Sequence, residues 1–134
     1  MKYLLDTNAC IAVLKDKHSP VARRLADESP ENVVLCSVVK AELLYGAYKS
    51  RQSSRTLKNL AEFFTPFKSR PFDDAASDVY GQIRAELASK GRPIGPNDLM
   101  IAAISLSNNL ILVTNNTREF SRIEQLQIED WQQS

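Results

Sequence analysis

Short apolar runs recurring at long intervals constrain this chain more than any other feature. "KYLL" at 2–5, "VVLC" at 33–36 and "LILV" at 110–113 are too brief for buried helices and too apolar for loops. They read as buried strands. Between them lie stretches with helical spacing, long enough to carry the chain back across a sheet. Strands alternating with helices imply an α/β chain built on a mainly parallel sheet.

The connecting segments fit that reading. Thr7 and Asn8 are placed to cap a helix whose apolar face is Cys10, Ile11, Val13 and Leu14. Ser19-Pro20 reads as the cap and first residue of a short helix, and Pro30 closes that unit. Ser37 is expected to cap the next helix, with Leu43, Leu44, Ala47 and Tyr48 inward. Beyond a turn at Ser53, Leu57, Leu60, Ala61 and Phe64 mark another, ending before Pro66. Most apolar residues of this helix are read as core. Pro71-Phe72 is expected as a short or edge strand. Ala75, Val79, Ile83 and Leu87 then predict a long helix from Asp73-Asp74, with Gly91 as its stop. The turn "GRPIGPND" leads into a helix through Met100, Ile101 and Ile104, and Leu126 and Ile128 suggest a small last strand. No repeat or linker divides the chain, so one domain spanning residues 1–134 is expected.

Composition narrows the chemistry. His18 is the single histidine, which disfavours a zinc site or a histidine-based triad. Cys10 and Cys36 form no CxxC pair and are expected as buried free thiols. With neither a membrane-length apolar run nor a signal-like N-terminus, the expected location is the cytoplasm. Residues 40–70 hold seven basic side chains against two acids, a local balance of +5. Such a stretch is either a solvated helical hairpin or a cationic rim for phosphates, and Lys49, Arg51 and Arg55 are its candidate phosphate contacts.

Sites in open α/β sheets form beyond the carboxyl ends of the strands. Asp6 follows the first strand and Glu42 lies early in the helix after the second. Thr114, Asn115, Asn116 and Glu119 follow "LILV", while Asp98 opens the helix after the Pro-Gly-Pro turn. Singly, Asp6 reads as a cap, Asp98 as a carboxylate matched to a helix dipole, and Glu42 and Glu119 as surface acids. Gathered at one sheet edge, they would repel one another, and a divalent cation would remove the conflict. Oxygen-rich, histidine-poor ligation suits Mg²⁺ or Mn²⁺. Carboxylates holding such an ion beside a cationic rim suit phosphodiester chemistry.

Four segments then stand out: "LLDTNACI", "SVVKAELLYGA", "GRPIGPNDLMIAA" and "LVTNNTREFSRI". They resemble, in order, the motifs of PIN-domain ribonucleases, and most closely the VapC toxins of toxin–antitoxin modules. The terminal "LQIEDW" also fits that group. The resemblance implies a PIN-like three-layer sandwich, about five mainly parallel strands flanked by helices. It also implies Mg²⁺- or Mn²⁺-dependent endonucleolytic cleavage of structured RNA, with tRNA near the anticodon as the expected target. By the same resemblance Asp6, Glu42 and Asp98 match the first three family acids. Glu119 stands where many members carry aspartate, so its carboxylate is displaced by a methylene. Thr7, Asn8, Thr114 and Asn116 match polar positions that orient the site. A VapB-like antitoxin, whose C-terminal segment brings an arginine to the acids, a homodimer and a larger toxin–antitoxin assembly are implied too. A guanidinium is a sound competitor for an acidic cluster because it pairs bidentately.

Three other readings are open. A phospho-accepting domain would need a lysine on a late strand, where "VTNNTREF" offers only Arg118. A binding module with a spent metal site is opposed by four filled acidic positions. Against an RNA-processing nuclease outside a toxin module, small size and the absence of extra domains favour the toxin, and a neighbouring antitoxin reading frame would discriminate.

Overall fold

The computed structural model describes residues 2–132. Five strands form one sheet in the order β3-β2-β1-β4-β5, and every neighbouring pair is parallel. They are β1 (Tyr3–Leu5), β2 (Val33–Cys36), β3 (Lys68–Arg70), β4 (Ile111–Val113) and β5 (Ile128–Glu129). Seven helices among the described residues flank them: α1 (Thr7–Lys15), α2 (Pro20–Asp27), α3 (Ser37–Lys49), α4 (Ser53–Phe64), α5 (Asp74–Ser89), α6 (Pro96–Ser107) and α7 (Thr117–Phe120). The α/β class with a parallel sheet is as the apolar runs implied.

Burial explains why the central strands are so apolar. β1 and β2 are buried along their whole length, because helices cover both faces of a parallel sheet. β1 sits in the middle, with Leu4 opposite both Val34 and Leu112. The last residue of β1 therefore delivers the next one, Asp6, to the middle of the sheet's carboxyl edge. The amide of Asp6 still belongs to the ladder, donating to the Val113 carbonyl at 3.0 Å.

Several local expectations shift. The third strand is Lys68–Arg70, not Pro71-Phe72. Proline has no N–H to give the ladder, and an edge strand facing solvent needs no apolar sequence. Phe72 instead packs edge-on against Tyr80 on α5, with ring centroids 5.8 Å apart. Asp6, rather than Thr7 or Asn8, caps α1: its backbone is extended and its carboxylate accepts from the Ala9 N–H at 2.8 Å. Likewise Cys36 occupies the cap position of α3 and Ser37 is already helical. Cys36 stays extended because it still pairs with Arg70 in β3. Tyr48 points to solvent, leaving Leu43 and Ala47 as the buried residues of α3 behind Val39. In α4 only Leu60 is fully buried, Leu57, Phe63 and Phe64 pack partly, and Ala61 is exposed. In α5 the buried alanine is Ala76, not Ala75, because a strict four-residue repeat drifts around a helix of 3.6 residues per turn.

Other expectations hold. Ser19 caps α2 with Pro20 first in the helix. Gly91 adopts φ +65° after α5, where a side chain would be strained. Both cysteines are buried free thiols. Among the described residues no helix is long and apolar enough to cross a membrane.

Candidate active site

Three of the four acids are carried by the first turns of helices or by the residue that caps one. A strand that ends under a helix start brings a carboxylate to the sheet's edge and into the favourable end of a helix dipole at once. Asp6 caps α1, Asp98 lies in the first turn of α6, and Glu119 in that of α7. Glu42 stands further along, in the second turn of α3.

Asp6 is the most enclosed, with only 4% of its surface exposed. Burial pushes its carboxyl up to about 6. Hydrogen bonds from the Thr114 hydroxyl and the Ala9 N–H act the other way, while the charges of Asp98 and Glu42 raise it further. Asp98 is also raised, first by burial and then by Glu119 and Glu42. These couplings show that all four acids share one field. No three of them stand close enough, among the described residues, to form a ready-made metal cage. What they offer is a set of hard oxygen donors whose mutual repulsion a cation would relieve.

Short polar side chains hold the acids. Thr7 Oγ1 donates to Glu42 Oε1 at 2.6 Å. Thr114, buried one residue past the pairing of Leu5 with Val113, donates its hydroxyl to the Asp6 carboxylate and accepts the Asn116 N–H at 2.9 Å. Asn116 Nδ2 in turn donates to Glu119 Oε2 at 3.1 Å. Each of these three residues thus contacts an acid. Asn8 does not: it is exposed and lines a cleft beside Glu42.

The cations are divided. Arg55 lines a groove with Thr7 and Glu42, whereas Lys49 and Arg51 lie outside that lining. Sequence reasoning missed Lys15 and Lys17, which line the same groove from the end of α1. Their positions 25 or more residues before Glu42 gave no signal, although a basic residue closing a helix that starts at the site was a usable hint. Arg122 was also missed as an anchor: its Nη1 donates to the Pro93 carbonyl at 2.8 Å, tying the loop before Asp98 to the segment after Glu119.

Comparison with known proteins sets this geometry in context. Residues 3–126 match the profile of the PIN domain. The chain is 45% identical over 131 residues to the tRNA(fMet)-specific endonuclease VapC of Shigella flexneri, covering 98% of each. Among solved structures it resembles a chain of DNA-bound VapBC from Salmonella typhimurium, with a TM-score of 0.93, 42% identity and 98% of each chain covered. A chain of VapBC2 from Rickettsia felis bound to a promoter fragment is similar at a TM-score of 0.89 and 36% identity, covering 98% of this chain and 99% of that one.

Proposed function

Since the chain belongs to the PIN-domain family, among its VapC members, we propose that it is a metal-dependent endoribonuclease toxin that cuts structured RNA. The observation that carries this reading is the row of four coupled acids at the carboxyl edge of the sheet, with Asp6 driven up to about 6 by its own burial. Such an arrangement is unfavourable for folding, and a site built to receive a cation explains it. The curated relatives named as tRNA(fMet)-specific endonucleases support tRNA, cut near the anticodon, as the target. Cleavage there would stop translation.

Asp6, Glu42 and Asp98 would hold the ion, Mg²⁺ before Mn²⁺, and Glu119 would hold a second ion or orient the attacking water. When bound, the ion supplies positive charge for the phosphoryl oxygens and acidifies water. Thr7, Thr114 and Asn116 keep the carboxylates aimed inward. Water aligned opposite the 3′ oxygen attacks phosphorus, and breaking that bond leaves a 5′ phosphate and a 3′ hydroxyl. Lys15, Lys17 and Arg55 serve as contacts for flanking phosphates, with Lys49 and Arg51 further out.

The solved VapBC complexes support a VapB-like antitoxin as partner, with an arginine competing for the acids. A homodimer within a larger toxin–antitoxin assembly, working in the cytoplasm, completes the reading. Its test is cleavage of total RNA with and without Mg²⁺, with mapping of the new ends, using wild type beside Asp98→Asn. Metal-dependent cuts leaving 5′ phosphates are expected from the wild type alone. Equal cutting by the variant, or none by either, would overturn it.

A further inference from the structure

Beside the acids lies a second kind of surface. A cleft of about 830 Å³ is lined by Thr7 and Glu42 on one side and continues along Asn8, Tyr45, Asn97 and Met100. Unlike the groove holding Lys15, Lys17 and Arg55, this cleft has no basic side chain in its lining. It is therefore poorly suited to a phosphate and well suited to an uncharged, planar group.

Tyr45 is the feature that needs explaining. It sits on α3 three residues after Glu42, so both side chains share one helix face. The residue is 68% exposed, an unusual state for a large aromatic beside a site. Lys49, one turn on, holds its ammonium 4.9 Å from the ring centroid. That contact covers part of the ring with a cation and leaves most of it open. Asn8 and Asn97 face the same cleft, and neither side chain hydrogen-bonds within the described residues, so each keeps a free amide donor and acceptor.

We propose that this cleft is a nucleobase subsite: an unpaired base next to the scissile phosphodiester stacks on Tyr45, and Asn8 and Asn97 read its edge. The inference rests on the nuclease reading above and adds a recognition element to it. Single-stranded RNA is recognised in this way, by stacking on aromatic side chains and hydrogen bonding to base edges. The position of Lys49 lets its charge meet the phosphate that follows the stacked base.

The test uses a tRNA anticodon stem-loop carrying 2-aminopurine at each loop position in turn. Fluorescence on binding reports stacking, and kcat and KM are measured on the same RNA. Quenching at one position is expected with wild type, Tyr45→Phe and Tyr45→Trp. It should vanish with Tyr45→Ala and Tyr45→Leu, with KM raised about five- to a hundredfold, the range that loss of one stacked base produces. Asn97→Ala should flatten the preference among bases at that position. If wild type cuts the RNA and Tyr45→Ala quenches and cuts identically, the subsite is wrong while the nuclease stands. If Tyr45-dependent quenching occurs without any cutting, the subsite stands and the nuclease reading falls. If Tyr45→Ala instead changes only sedimentation, the ring belongs to an interface between copies and the subsite is overturned.

Discussion

Asp6 and Glu119 stand at opposite extremes of one acidic row. Asp6 is held by the sheet: its amide joins the ladder, and its carboxylate accepts from Ala9 and Thr114. Glu119 is half-buried on a helix of four residues and is gripped by the Asn116 amide. The sheet fixes the position of one acid at an electrostatic cost, while the other hangs on a short helix nearer solvent. Under the proposed function this difference would let a glutamate, longer by a methylene, serve at the outer position, whereas a longer acid at the enclosed position of Asp6 would need space for its extra methylene.

Asp6→Asn should produce the largest effects, and in opposite directions. RNA cleavage should fall by orders of magnitude, while the metal-free fold becomes more stable. The folded carboxyl, at about 6, lies above its ordinary 3.8, so the native state holds that proton more tightly. Its favourable contribution is complete below pH 3.8 and is lost as pH rises through 6. At pH 7 the buried charge costs about 3 kcal/mol by the conversion of pKa shifts to free energy. Asparagine removes it and still caps the helix. Denaturant titrations should show the gain at pH 7 and little of it at pH 4. An active variant, or one no more stable than wild type, breaks the contrast.

Thr114→Val comes next. Valine keeps the shape but removes the hydroxyl that ties Asp6 to Asn116, and loss of such a supporting bond costs about 10–100-fold in activity or metal affinity. The measurement is kcat together with the Mg²⁺ concentration for half-activity. Unchanged values would show that the sheet alone aims Asp6. Glu119→Gln should be milder, about tenfold at the low end of the same range, and Glu119→Asp milder still. A collapse as deep as that of Asp6→Asn would make the two ends of the row equivalent. Smallest is the effect of the groove cations. Replacing Lys15, Lys17 or Arg55 by alanine should each reduce the salt dependence of RNA binding by about 0.7–0.9 in the log–log slope per phosphate contact. A slope that stays the same for all three removes the groove from the RNA path.

The same contrast explains what could be read in the sequence. Asp6 was visible because an apolar strand ending on a charge has few explanations, and the neighbouring strand brought Thr114 opposite it. β3 was misplaced because an edge strand of Lys68, Ser69 and Arg70 has no apolar signature, so Pro71-Phe72 attracted attention instead. Tyr48 was assigned inward because helical spacing alone does not say how wide the buried stripe is. Lys15 and Lys17 were missed because groove walls form from segments distant in sequence. The roles of Thr7 and Asn116 as carboxylate partners were legible from the motifs, but Asn8, in the same motif as Thr7, faces the cleft instead.

The position of β1 at the centre of the sheet has a consequence for biosynthesis. Asp6 leaves the ribosome well before Val113 and Thr114, which complete its surroundings. β1 cannot gain its second neighbour until β4, which begins at Ile111, has been made. The acidic row therefore cannot come together before β4 has followed β1 out of the ribosome, and under the proposed nuclease function the nascent chain stays without a cutting site until then.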